Sequence, residues 1–193
     1  MAAKGNRVRI IGGQWRGRKI EFPSLDGLRP TTDPIRETLF NWLQPYLPQA
    51  NCLDLYAGSG ALGFEAASRG ARNVLMVEKD IKAIKALRTN KALLQADNVQ
   101  LMHRMALDVL KDKSKGIAAL FDVVFLDPPF KQGELSDCAK RLEESGCLSD
   151  DAVIYLECEG KLDLSFLPNN WVQHRRKKAG QVAYYLYHRE GND

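Results

Sequence analysis

From residue 51 onward, apolar positions fall into short continuous runs separated by stretches in which they recur at helical spacing. The runs "CLDLY" (52–56), "NVLMVEKD" (73–80), "NVQLM" (98–102), "FDVVFLDPP" (121–129) and "AVIYLE" (152–157) have the length and composition of strands buried on both faces. Between them, "LGFEAASRG" (62–70), ended by Gly70, and "IKAIKALRTNKALLQ" (81–95) read as helices. A weaker helix follows at 107–111 and another at 135–144. Strands and helices in strict alternation predict a mostly parallel sheet covered by helices on both faces. The end of the chain breaks the alternation. Residues 171–189 form two strand-like arms around Ala179 and Gly180, so an antiparallel hairpin is expected there.

The first residues are organised differently. "VRIIGGQWRGRKIEFP" (8–23) predicts two short strands around a Gly-Gly turn, with Val8, Ile10 and Ile11 before it, Ile20 and Phe22 after it, and Pro23 as the stop. "LRPTTDPIRETLFNWLQPYL" (28–47) reads as a loop entering a helix. Thr32 or Asp33 is the expected cap, Pro34 fits the first turn, and Ile35, Leu39, Trp42 and Leu43 mark the apolar face. The organisation expected is a small β-hairpin extension over 1–28 and an α/β domain over 29–193.

Composition adds limits. A 45% hydrophobic chain of 193 residues can bury a full core as one domain. No apolar run approaches the roughly 18 residues of a membrane span, and "MAAKGNRVRI" lacks the apolar centre of a secretory signal. A cytoplasmic monomer is the expectation. Cys52, Cys138, Cys147 and Cys158 show no CxxC or finger spacing, and the histidines are scattered, so reduced thiols and no metal site are expected. The net charge of +4 is unevenly distributed. Lys4, Arg7, Arg9, Arg16, Arg18 and Lys19 form an acid-free stretch, and residues 175–178 read "RRKK". Such clustering points to a polyanion, for which phosphate contacts supply most of the non-specific affinity.

The first strand of the alternating region runs into "DLYAGSGALGFEA" (54–66), in which Gly58, Gly60 and Gly63 satisfy G-x-G-x-x-G. Glycines at a strand-to-helix turn let a ligand approach the backbone closely. That pattern alone serves several nucleoside cofactors. Glu78 ends the next strand, about 20 residues on, where a carboxylate can hold a ribose diol. Asp54 narrows the choice further, since it would repel the diphosphate of NAD but suits a ligand with a positive amino group. S-adenosylmethionine has that amino group, a sulfonium, a ribose and no phosphate.

The fourth run ends in "DPPF" at the same carboxyl edge. An exocyclic nucleobase amine is a poor nucleophile because its lone pair is delocalised into the ring. The Asp127 carboxylate and the Pro128 carbonyl can each accept one of its N–H groups. That holds the nitrogen in line and favours the cation formed as a methyl arrives. Pro129 fixes the direction of the carbonyl, and Phe130 offers a face on which an extruded base can stack.

"DLYAGSGALGFEA", "VEKD" and "DPPF" in this order resemble a class I S-adenosylmethionine-dependent methyltransferase acting on an amino group. "RIIGGQWRGRKIEFP" followed by "LRPTTDPIRETLFNWL" is more specific. With it, essentially the whole chain resembles the RsmD family, which methylates the exocyclic N2 of one guanine in bacterial 16S rRNA. The resemblance implies a Rossmann-like seven-stranded sheet, six strands parallel and one antiparallel, with a short RNA-facing extension. It implies that Asp54, the backbone of Ala57, Gly58, Ser59 and Gly60, and Glu78 surround the cofactor. Tyr56 and Lys79 flank those contacts, and the 29–32 loop, with Thr31 and Thr32, closes over the methionine end. It places the guanine on Asp127, Pro128, Pro129 and Phe130, and the RNA on Arg7, Arg9, Arg16, Arg18 and Lys19. One departure is Met105, where many relatives place an aspartate or asparagine beside the adenine. The backbone of Met105 and Ala106 is then left to meet that ring.

Other readings stay open at this level. An adenine-N6 methyltransferase on RNA or DNA could use the same platform, an oxidoreductase could use the glycine loop for NAD, and a non-catalytic RNA-binding protein could retain the motifs. The partner expected under the first reading is 16S rRNA within the small ribosomal subunit.

Overall fold

The α/β alternation read from residue 51 onward is realised in a single sheet. The computed structural model describes residues 6–25, 31–111, 120–129 and 133–191. β1 (Asn6–Arg9) and β2 (Lys19–Phe22) pair antiparallel as a separate two-stranded sheet. The main sheet comprises β3 (Asn51–Asp54), β4 (Asn73–Glu78), β5 (Val99–His103), β6 (Phe121–Leu126), β7 (Leu148–Glu159), β8 (Trp171–Ala179) and β9 (Val182–Arg189). Their order is β5-β4-β3-β6-β7-β9-β8. β3 to β7 are mutually parallel, β9 runs against β7, and β8 runs against β9. Six strands therefore share one direction and β9 opposes them, as the resemblance implied.

The chain builds outward from β3 to β5 and then returns to place β6 on the other side of β3. Strand order reverses between β3 and β6, and open α/β sheets bind ligands at the carboxyl edge of such a point. Asp54 pairs in register with Phe125, so the end of β3 and the "DPP" that follows Leu126 lie side by side at this edge.

Helices α1 (Asp33–Leu43), α2 (Ala61–Ser68) and α3 (Ile81–Leu94) cover one face, and α4 (Ala106–Lys111) and α5 (Glu134–Glu144) the other. α2 is buried at all eight positions, which explains a sequence with no polar stripe. Its second cover is the N-terminal segment, whose Val8, Ile10, Trp15, Ile20 and Phe22 join the same core. Each such side chain contributes roughly 1.5–3 kcal/mol when withdrawn from water, enough to dock the segment firmly. The strands do not meet around Gly12 and Gly13 as the pattern predicted. β1 ends at Arg9, and the chain runs on along α2, where Gln14 N–H donates to Ser68 O at 2.8 Å. It turns only at residues 14–17 before β2. Two glycines in succession served packing on a helix, which spacing alone cannot distinguish from a turn.

α1 begins where predicted. Thr32 is its cap residue by backbone geometry, although its side chain makes no capping bond, and Pro34 lies in the first turn. Asp80 caps α3 more fully, its carboxylate accepting from Lys82 N–H at 2.7 Å and Ala83 N–H at 3.0 Å.

Candidate active site

Two clusters of carboxyl groups meet at the carboxyl edge around the switch point. The first surrounds the glycine loop. Asp54 closes β3 and is only 2% exposed. Burial, more than any other cause, pushes its carboxyl up to about 7; Glu78 adds to this, while the backbone N–H groups of Tyr56 and Gly63 oppose it. Among the described residues, Asp54 Oδ2 has no hydrogen-bond partner. A buried acceptor without a donor is costly, and a ligand ammonium would relieve that cost. Gly60 is the cap residue of α2 in the left-handed region (φ 81°), and a Cβ there would stand 2.6 Å from Leu87 Cδ2 and 2.7 Å from Phe64. The loop needs glycine at this position for both reasons. Gly60 N–H closes the turn onto Ala57 O at 2.7 Å, and Ala57 N–H is held by Val77 O at 3.0 Å.

Glu78 ends β4. Its carboxylate accepts from Gly58 N–H at 2.8 Å through Oε2 and from Asp80 N–H at 2.7 Å through Oε1. The two bonds fix the side chain beside the glycine loop and leave further lone pairs for hydroxyl donors. An unpartnered buried acid at Asp54, an open glycine turn and an oriented carboxylate at Glu78 fit the amino group and ribose of S-adenosylmethionine. They fit a diphosphate poorly.

The second cluster centres on Asp127, and the sequence reading caught only part of it. Glu157 lies on β7, one row beyond the Leu126–Leu156 pair, and is buried. Its Oε2 accepts the Tyr155 hydroxyl at 2.7 Å and the Thr31 hydroxyl at 3.4 Å. Asp127 is half-buried as a whole residue. Desolvation is nevertheless the first cause raising its carboxyl well above the usual range, followed by the charges of Glu157 and Asp54, with the Thr31 hydroxyl pulling the other way. Burial likewise raises Glu157. Two such carboxyls cannot both ionise freely, and the pair titrates as a unit. An acidic residue at the end of a strand on this edge was the available signal for Glu157; nothing local marked Tyr155. Pro128 is buried and Pro129 half-buried, whereas Phe130 lies outside the described residues.

The remaining expected residues are scattered around these clusters. The Tyr56 hydroxyl turns away to α5, where it donates to Glu134 Oε2 at 3.1 Å and meets Cys138 Sγ at 2.8 Å, leaving only its backbone near the loop. Ser59 is buried and its Oγ accepts from Ala61 N–H at 3.3 Å. Thr32 and Lys79 are exposed, and Lys79 O lies 3.0 Å from His103 Nε2. Met105 is exposed just ahead of α4, and Ala106, the first residue of that helix, is buried.

Arg7, Arg9, Arg16, Arg18 and Lys19 are all exposed. Arg7 pairs with Glu21 at 2.7 Å and Arg9 with Asp33 at 3.8 Å. Arg18 Nη2 donates to Leu93 O in the last turn of α3. The neighbouring Trp15 N–H donates to Ser68 Oγ at the end of α2. Both helices start at the crevice, so this turn of the N-terminal segment sits at their far ends, about 12 Å down α2 at 1.5 Å per residue.

Comparisons with known proteins identify the chain's relatives. A family model described as "Conserved hypothetical protein 95" matches residues 8–188. The Escherichia coli (strain K12) protein named "Ribosomal RNA small subunit methyltransferase D" is 49% identical over 184 residues, covering 95% of this chain and 91% of its own. A Haemophilus influenzae protein of the same name is 44% identical over 187 residues, covering 96% and 95% respectively. The solved Escherichia coli protein yhhF superposes with a TM-score of 0.87 at 48% identity, over 97% of this chain and 100% of that one. With a family match along nearly its whole length and relatives this similar from end to end, the chain belongs to the RsmD methyltransferase family.

Proposed function

We propose that this protein transfers a methyl group from S-adenosylmethionine to the exocyclic N2 of one guanine in bacterial 16S rRNA, presented within the small ribosomal subunit. The observation that carries the reading is the placement of Asp127 and Pro128 at the end of β6, beside Asp54 at the end of β3, across the switch point. Membership of a family whose relatives are named for rRNA methylation supports RNA as the substrate class.

When bound, S-adenosylmethionine supplies an electrophilic methyl on a sulfonium. Asp54 would receive its ammonium, Glu78 its ribose hydroxyls, and the glycine turn its close approach. The Asp127 carboxylate and the Pro128 carbonyl accept the two N–H bonds of the guanine amine and hold its nitrogen toward the methyl. The two acceptors would favour the positive charge that the nitrogen gains on accepting the methyl, the sulfonium leaving as the neutral thioether. The surplus proton then leaves the nitrogen, with ionised Asp127 the nearest base.

The test is transfer of labelled methyl to small subunits lacking the modification, with naked 16S rRNA and duplex DNA alongside and the labelled nucleoside identified by mass. N2-methylguanosine in the subunit sample is expected. Label in adenine, or in DNA, would replace the substrate with that of an adenine-N6 enzyme.

A further inference from the structure

β8 is a free edge of the seven-stranded sheet, and beyond Trp171 every residue of it is exposed. It carries Arg175, Arg176, Lys177 and Lys178 in succession. Among the described residues, no carboxylate lies within ion-pair distance of any of the four. Lys177 Nζ reaches the Thr38 hydroxyl of α1 at 3.4 Å, and the Arg176 guanidinium lies over the Tyr185 ring at 5.5 Å. Neither contact neutralises charge, and both leave the cations open to solvent.

Strand register sets this run level with the candidate site. Leu126 of β6 pairs with Leu156 of β7, Leu156 with Tyr185 of β9, and Tyr185 with Arg176 of β8. In the next row, Glu157 pairs with Tyr184 and Tyr184 with Lys177, abreast of Asp127, which follows Leu126. β8 points the same way as β6, so Lys178 continues to the same carboxyl edge. Three inter-strand spacings of roughly 4.8 Å separate the two strands, about 14 Å. Arg175 and Lys177 stand opposite Leu186 and Tyr184, whose side chains join the core on the α1 side, the side on which Thr31 meets Glu157.

Charges on an edge strand also discourage pairing with other chains. One or two lysines serve that purpose; four consecutive cations on both sides of the strand exceed it. The N-terminal cations compete poorly for the same role. Arg7 and Arg9 are paired with acids, and Arg16, Arg18 and Lys19, although exposed, lie on the turn that docks at the far ends of α2 and α3.

We propose that residues 175–178 of β8 are a rail for the RNA sugar-phosphate backbone, holding nucleotides adjacent to the base that enters the Asp127 crevice. The proposal rests on the reading of the chain as an rRNA methyltransferase and adds the surface by which that substrate is gripped. Arg175 and Lys177 meet phosphates on the α1 side, and Arg176 and Lys178 meet them where the strand wraps over the edge.

The test uses the full chain carrying R175Q/R176Q/K177Q/K178Q, beside R16Q/R18Q/K19Q and the charge-preserving R175K/R176K. Affinity for naked 16S rRNA and for small subunits is measured across a salt series, together with S-adenosylmethionine affinity, thermal midpoint and turnover. The quadruple variant is expected to bind both RNA forms at least tenfold more weakly at low salt. Its slope of log affinity against log salt should shrink by about 2 to 3, from four contacts at roughly 0.7 each. Cofactor affinity and thermal midpoint stay as in the unsubstituted protein. R175K/R176K keeps its affinity, and the N-terminal triple variant loses less than the quadruple.

Unchanged RNA affinity in the quadruple variant, with the unsubstituted protein binding normally, overturns the rail alone. Loss toward subunits but not toward naked rRNA overturns it in favour of a protein contact. If the unsubstituted protein neither binds nor methylates rRNA in any form, the functional reading falls and the rail with it.

Discussion

Thr31 and Glu157, 126 positions apart in the chain, meet at the carboxyl edge of the sheet, where the Thr31 hydroxyl donates to Glu157 Oε2 at 3.4 Å. Because the Thr31 hydroxyl also draws the Asp127 carboxyl down, one short side chain at the entry to α1 acts on both members of the carboxyl pair. The loop ahead of α1 is thus coupled to the protonation of the group proposed to hold the substrate amine.

That coupling predicts a pH effect. The groups facing Asp127 are Glu157 and Tyr155 on β7, Asp54 on β3 and Thr31 ahead of α1. Asp127 must be ionised to accept an N–H, so a raised carboxyl places an acid limb on turnover, which climbs as pH rises through the Asp127 ionisation. Negative Glu157 is one cause of that elevation, whereas the Thr31 hydroxyl opposes it. In Glu157→Gln the acid limb should move to lower pH, and in Thr31→Val to higher pH. A kcat–pH profile unmoved in both variants would remove Glu157 and Thr31 from the mechanism.

Asp54 gives a second pH signature, read from stability. Its carboxyl rises from 3.8 to about 7 on folding, so the folded state holds a proton that the unfolded chain releases between those values. Stability of the cofactor-free protein should therefore decline as pH climbs from about 4 to about 7, by an amount on the order of a few kcal/mol if no other group compensates. Asp54→Asn should flatten that decline and raise the thermal midpoint at neutral pH. The same variant should lose S-adenosylmethionine affinity at least tenfold, from the missing charge-assisted bond to the ammonium. Thermal scans and calorimetric titration at three pH values would separate the effects; an Asn variant less stable at neutral pH contradicts the assignment.

Asp54, Glu78 and Asp127 were legible because each ends an apolar run, and ends of parallel strands share one edge. Glu157 ends a run too, but no motif surrounds it. Its partnership with Thr31 depends on a loop returning to the edge from outside the alternating region, which no local pattern encodes. The basic N-terminal residues were visible as charge, while the distance of Arg16, Arg18 and Lys19 from the crevice follows from the docking of Trp15 on Ser68. The 175–178 run was visible as charge as well. Its level beside Asp127 required the order β7-β9-β8, in which two antiparallel steps restore the original direction. Met105 was read as a departure from the family pattern, and it stands exposed just ahead of α4.

Glu65 was read only as part of the glycine-loop helix, yet it joins three elements. Fully buried, it accepts from Ile11 N–H and Gly12 N–H at 2.7 Å each and from Arg69 Nε at 2.7 Å, with Arg36 Nη1 at 3.7 Å. Arg36 is itself buried and bonds to Arg9 O and Asp33 Oδ1. Removing one member of a buried charge network leaves its partners unpaired and costs roughly 3–5 kcal/mol. Glu65→Ala should therefore lower the thermal midpoint by many degrees and make the N-terminal segment readily cut by proteases at low temperature. Limited proteolysis that spares that segment in the variant would show that its apolar docking suffices without Glu65.

Asp127→Ala separates binding from chemistry. The carboxylate is proposed to touch the amine that reacts, while Asp54 and Glu78 hold the cofactor. Losing one of two acceptors that favour a developing cation should lower turnover by roughly 100- to 1,000-fold. Affinity for S-adenosylmethionine should change little, because Asp54 and Glu78, which are proposed to hold it, are left in place. Single-turnover transfer at saturating cofactor and RNA, with calorimetry for the cofactor, reads the two quantities independently. Equal losses in both would assign Asp127 to cofactor binding and leave the guanine amine to be held by other groups.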